Sequence, residues 1–170
     1  ICVIDSRAAA GTMVLLIRRA QALMEAAGDD GDFDALCQQL HRYQATLRTC
    51  FTLENFDNLI KNGRMRPIVG TLLRSLGIHI IADATAEGTI HVADKARGVG
   101  KTYRAITALM KASKDCTDAE VVISHCENLE GAMALKRQIL ADLPVKQVDL
   151  LSCRGLTSFY AMEKGLIVGY

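Results

Sequence analysis

From Thr49 onward, short apolar runs of strand length trade places with helical repeats, and that succession constrains the fold more than any other feature of the chain. Residues 49–53, 78–82, 89–93, 120–124, 145–150 and 166–169 read as strands, being β-branched or aromatic-rich and bounded by polar or glycine-containing stretches. Helical spacing of apolar residues fills the gaps at residues 56–60, 67–76, 100–113 and 128–141. Ala86-Glu87-Gly88 separates two of the strands closely enough to predict an antiparallel hairpin. The expected class is therefore α/β (α+β), a mixed β-sheet with helices packed on it.

The first 47 residues follow another rhythm. Ile1-Cys2-Val3-Ile4 reads as a buried strand. Met13, Ile17, Ala20 and Met24 mark an amphipathic helix ending at Gly28. A second helix starts behind Asp32, a good N-cap, with Phe33, Leu36, Cys37 and Leu40 on one face. We expect residues 1–47 to be the tail end of an N-terminal α/β domain, its last strand and helices, and residues 48–170 to be a second domain. On this reading the chain is the later part of a longer protein.

Half of the 170 residues are hydrophobic and only two are proline, so the chain can bury a core. A formal net charge of +1 gives no argument for nucleic acid. The six cysteines are scattered without a C-x-x-C pair, which suits small buried hydrophobes in a reducing cytoplasm and supplies no metal-ligand spacing. No apolar run reaches the length of a membrane span.

Gly63-Arg64 is the strongest site candidate. Glycine permits positive φ or close backbone approach, and an arginine just ahead of a helix start can hold a carboxylate. From spacing alone, a helix stop followed by a solvated arginine is the commoner arrangement, and both readings stay open. Residues 61–104 hold eight basic side chains against three acidic ones, which favours an anionic ligand or partner, although wet helix faces give the same excess.

Other constellations carry less. Gly100-Lys101-Thr102 lacks the leading glycine of a phosphate loop, since Lys95 stands in its place. His125-Cys126 follows a strand, where ligands of α/β proteins gather, and supports an alternative reading as an enzyme acting on a small anionic substrate. His79 and His91 lie on the hairpin strands at positions that suggest a cross-strand pair. Asp5-Ser6-Arg7 can bind a ligand or cap the next helix. A third reading is a partner-docking module built on the basic segment 95–104. The residues point to no catalytic set, cofactor or metal site.

Taken in order, these segments resemble the DegV family of bacterial fatty-acid-binding proteins (EDD fold). Val3-Ile4-Asp5-Ser6 matches the family's V-I-D-S strand end, and Asn62-Gly63-Arg64-Met65 closes a segment like its G-G-R-I. Residues 76–81 and 88–97 match its next strand and hairpin, and Ile123-Ser124-His125-Cys126 its I-x-H-G-like strand end. The resemblance implies a lipid-binding, non-enzymatic protein of two domains. A long-chain fatty acid buries its tail in the second domain and keeps its carboxylate near the domain interface. Some members are the carrier subunit of a fatty acid kinase, so a kinase subunit is an implied partner.

By the same resemblance Arg64 beside Gly63 meets the head group, and Ile68, Val69, Leu72 and Leu73 line the tail pocket. The family's H-T-G-P-G-like segment is replaced here by residues 159–165, without histidine or proline, and Tyr160 is the substitute donor.

Overall fold

The computed structural model describes residues 1–65 and 77–170. Two helices come first, α1 (Gly11–Ala27) and α2 (Phe33–Thr46), followed by β1 (Thr49–Leu53) and the short α3 (Asp57–Lys61). The hairpin strands β2 (Ile78–Ala84) and β3 (Ile90–Arg97) lead into α4 (Val99–Ser113) and β4 (Glu120–His125). Then come α5 (Leu129–Asp142), β5 (Gln147–Ser152), α6 (Gly155–Ala161) and β6 (Leu166–Gly169).

The six strands form one mixed sheet in the order β3-β2-β1-β6-β4-β5. Among the described strands only the β4–β5 pair is parallel, and it is joined through α5, as a parallel pair requires a crossover. β6 runs antiparallel to both of its neighbours and stitches the hairpin half to the parallel half. All four of its residues are buried.

Strand alternation divides the core in two. Cys50, Ile81, Val121, Ile123, Leu166 and Val168 pack with Ile106, Met110, Leu135 and Ile139 of α4 and α5. Leu53, Ile80, Ala82 and Ile167 point to the other face, where Phe56, Leu59 and Ala161 meet them. α1 covers a separate part of the sheet: Leu15, almost fully buried, packs with Val122 of β4 and with Leu47. Burial on that scale is worth ~1.5–3 kcal/mol for one leucine. The approach depends on Gly11, because a Cβ there would stand 2.6 Å from the Val122 carbonyl oxygen.

The predicted strands and helices largely recur, with the hairpin strands longer than expected. Asp32 caps α2 as expected, its carboxylate accepting from the amides of Asp34 and Ala35. Two differences stand out. Residues 1–9 form no strand: Ile1 and Val3 are exposed, and no described strand offers their backbone a ladder. α6 lies where the sequence pattern gave no helix. The helix expected over residues 67–76 lies outside the described residues, except that Gly77, its expected C-terminus, adopts φ +62°.

Candidate functional site

Leu59, Ile60, Gly63 and Arg64 together close α3. Gly63 adopts φ +67°, its amide donates to Ile60 O at 3.0 Å, and the Arg64 amide donates to Leu59 O at 2.8 Å. This is the paired hydrogen-bond pattern of a Schellman turn, for which glycine is the favoured residue. The turn returns Arg64 to the side of Leu59, and both line one cavity of about 300 Å³. The glycine thus stops the helix, as one of the two sequence readings expects, and Arg64, itself exposed, stands at the cavity.

The cavity lies on the face of the sheet that α3 and α6 cover. Phe51 of β1 and Ile167 of β6 form its floor, Ile90 belongs to the hairpin, and Leu156 and Tyr160 come from α6. Its size is at the small end of the range for ligand pockets. Its lining is mainly apolar, with the exposed residues Arg7 and Arg64 among it. Tyr160 is half-buried and packs edge-to-face against Phe159, with ring centroids 5.0 Å apart. Asn58 of α3 donates to the Phe159 carbonyl at 2.6 Å, so the helix that leads to Arg64 and the helix that carries Tyr160 are tied directly.

Two predicted site residues, Arg64 and Tyr160, are therefore brought together, and Gly63 adjoins them. Ile68, Val69, Leu72 and Leu73 lie outside the described residues. Arg7 belongs to a motif noted in the sequence only as a ligand binder or helix cap. It does not cap α1, whose N-cap is Ala10 without a side-chain bond. Instead Arg7 Nη1 donates to Ala86 O at 3.1 Å, which holds the segment before α1 against the hairpin turn and makes it a cavity wall.

The remaining candidates fall elsewhere. His79 faces Ala96 and His91 faces Asp83, so the two histidines sit at opposite ends of the hairpin and form no cross-strand pair. The hairpin register decides this, since an antiparallel partner of His79 must lie near the far end of β3. His91 pairs with Asp83 at 2.9 Å. His125 is buried at the end of β4, and its Nδ1 accepts from the Asn128 amide at 3.3 Å, a structural bond at the start of α5. Lys95, Arg97, Lys101 and Arg104 are exposed.

The fold is that of an α/β domain with a mixed sheet, and it carries a cavity of mainly apolar lining with an arginine at its side. The chain belongs to the DegV family: the family model, described as an uncharacterised protein of that family, matches residues 1–166. A DegV domain-containing protein of Streptococcus gordonii is 32% identical over 169 residues, which cover 99% of this chain and 58% of that protein. The chain thus spans less than two thirds of the length of the curated relatives it matches.

Solved structures agree. The Streptococcus pneumoniae Fatty Acid Kinase (Fak) B3 protein, loaded with linoleic acid, superposes with a TM-score of 0.89 at 32% identity, covering 99% of this chain and 58% of that one. A DegV family protein from Eubacterium eligens loaded with heptadecanoic acid gives 0.90 at 26% identity, covering 98% and 59%. One from Ruminococcus gnavus with vaccenic acid gives 0.88 at 29%, covering 99% and 59%. Among the described residues, no helix is long and apolar enough to cross a membrane.

Proposed function

We propose that this chain is the fatty-acid-holding part of a two-domain carrier. The observation that carries the reading is Arg64 on the wall of an apolar cavity, held there by the Gly63 turn. A carboxylate at Arg64 gains a charge-assisted hydrogen bond, while each CH₂ of the tail that leaves water contributes ~0.8 kcal/mol. Tyr160 supplies a hydroxyl to the head group in place of the family's histidine. Ile68, Val69, Leu72 and Leu73 are assigned to the tail. The solved relatives loaded with linoleic, heptadecanoic and vaccenic acids support the ligand class.

In this reading residues 1–47 complete an N-terminal α/β domain, residues 48–170 form the lipid-binding domain, and the head group sits between the two. The protein is a cytoplasmic, non-enzymatic carrier that presents the acyl carboxylate to a fatty acid kinase subunit. The likeness to the Fak B3 protein supports that partner.

The test is native mass spectrometry of the full-length protein purified from a bacterial host, followed by solvent extraction. A co-purifying fatty acid that is lost or weakened in Arg64→Ala supports the reading. An apo mass that takes up no acyl chain when fatty acid is added overturns it.

A further inference from the structure

β4 and β5 run parallel, and their last ladder pair is His125 with Ser152. The next residues along the two strands are Cys126 and Cys153. The Cys153 amide donates to His125 O at 2.7 Å, which carries the ladder one step past its last pair. Residues paired in this way present their side chains to the same face, from backbones ~4.8 Å apart. A disulfide spans Cα separations of about 4.4–6.8 Å, a range that includes the spacing of paired strands.

Both side chains pack against the same apolar cluster, together with Tyr160. Each is only partly buried, so a small reagent can reach the pair. The two thiols also sense one another: burial first, and then the neighbouring Cys126, push the Cys153 thiol up to about 11.

We propose that Cys126 and Cys153 are a reversible oxidation site that closes to a disulfide by exchange with a low-molecular-weight disulfide of the glutathione class. The Cys126 thiol gives its proton to solvent, and its thiolate attacks one sulfur of the reagent. The reagent's S–S bond breaks, and one thiolate leaves and takes up a proton. Cys153 then loses its proton and attacks Sγ of Cys126, and the second reagent thiolate leaves and is protonated. Two protein thiols are oxidised to one disulfide and one reagent disulfide is reduced to two thiols. Cys126 leads because the raised Cys153 thiol holds little thiolate near neutral pH. The new bond would join the end of β4 to the root of α6, which begins two residues after Cys153 and carries Tyr160. This site stands on the strand register and is independent of the lipid reading.

The experiment exposes the reduced, folded, full-length protein to oxidised glutathione and follows it by intact mass and non-reducing peptide mapping. We expect a loss of mass equal to two hydrogen atoms, a Cys126–Cys153 linked peptide, and recovery of both thiols on reduction. Cys153→Ser should stop at one glutathione adduct on Cys126, and Cys126→Ser should leave Cys153 unmodified. A lasting adduct on the native protein, a crosslink confined to Cys2 and Cys37, or two unreacted thiols at Cys126 and Cys153 overturns the proposal.

Discussion

Asn58 donates its side-chain amide to the backbone carbonyl of Phe159 at 2.6 Å, and through that bond the short helix leading to Arg64 is fastened to the helix that carries Tyr160. α3 and α6 have only five and seven residues, too short to be stable alone, so their placement depends on such tertiary ties. Asn58→Ala should lower stability by about 1 kcal/mol in chemical denaturation. On the proposed lipid reading it should also weaken fatty-acid uptake, because the wall that carries Arg64 loses its tie to α6. An unchanged affinity would show that the tie does not position the cavity wall.

Gly63 holds φ +67°, and no atom of the described residues lies within 4 Å of where a Cβ would stand, so backbone strain is the main effect expected of adding a side chain. Gly63→Ala should destabilise the protein by roughly 1–2 kcal/mol. Gly63→Asn, which tolerates the left-handed region better, should recover part of that loss. Equal melting temperatures for the three proteins would contradict the Schellman assignment.

Thr52 lies in the middle of the sheet, paired with Ile81 and Leu166, and its hydroxyl is buried without a hydrogen-bond partner among the described residues. An unsatisfied buried hydroxyl is costly, and valine has nearly the same shape. Thr52→Val should therefore raise stability by about 1 kcal/mol, read as a higher midpoint at unchanged denaturant slope.

Asp142 ties α5 to α4. Its Oδ2 accepts from the Thr107 hydroxyl and from the Gln138 amide, both at 2.7 Å. These donors, Thr107 first, hold its carboxyl below the usual aspartate range. A lowered folded pKa means that the tie contributes above the unfolded value and is lost as pH falls through the lowered one. A carboxyl titration by NMR should place Asp142 below an unperturbed aspartate, and Thr107→Val should move it back up.

Much of this architecture can be read from residue order alone. The turn at Gly28, the Asp32 cap and the hairpin around Gly88 each rest on local chemistry that two or three residues specify. α6 does not: it opens on Gly155, contains Thr157, Ser158, Phe159 and Tyr160, and ends at Met162 with φ +53° instead of a glycine. Of its seven residues only Leu156 and Ala161 favour a helix strongly, and seven positions are too few to display a period.

The cavity is legible only in part, for a related reason. Arg64 can be found from its glycine neighbour, and Tyr160 from the resemblance. Arg7 reaches the same cavity because of a bond to Ala86 far along the chain, which no local pattern announces. The histidines fail for a similar cause: strand positions give faces, whereas partners depend on register.

The place of β6 has a consequence for how the protein is made. Its four residues follow every other described strand, yet they sit between β1 and β4, and Tyr170 just beyond exchanges backbone hydrogen bonds with Arg48. A nascent chain emerging from the ribosome would carry the hairpin half and the parallel half as two unjoined sheets with open edges. Only β6 can close them, so the sheet cannot be completed until residues 166–169 have emerged and its longest-range contacts become available.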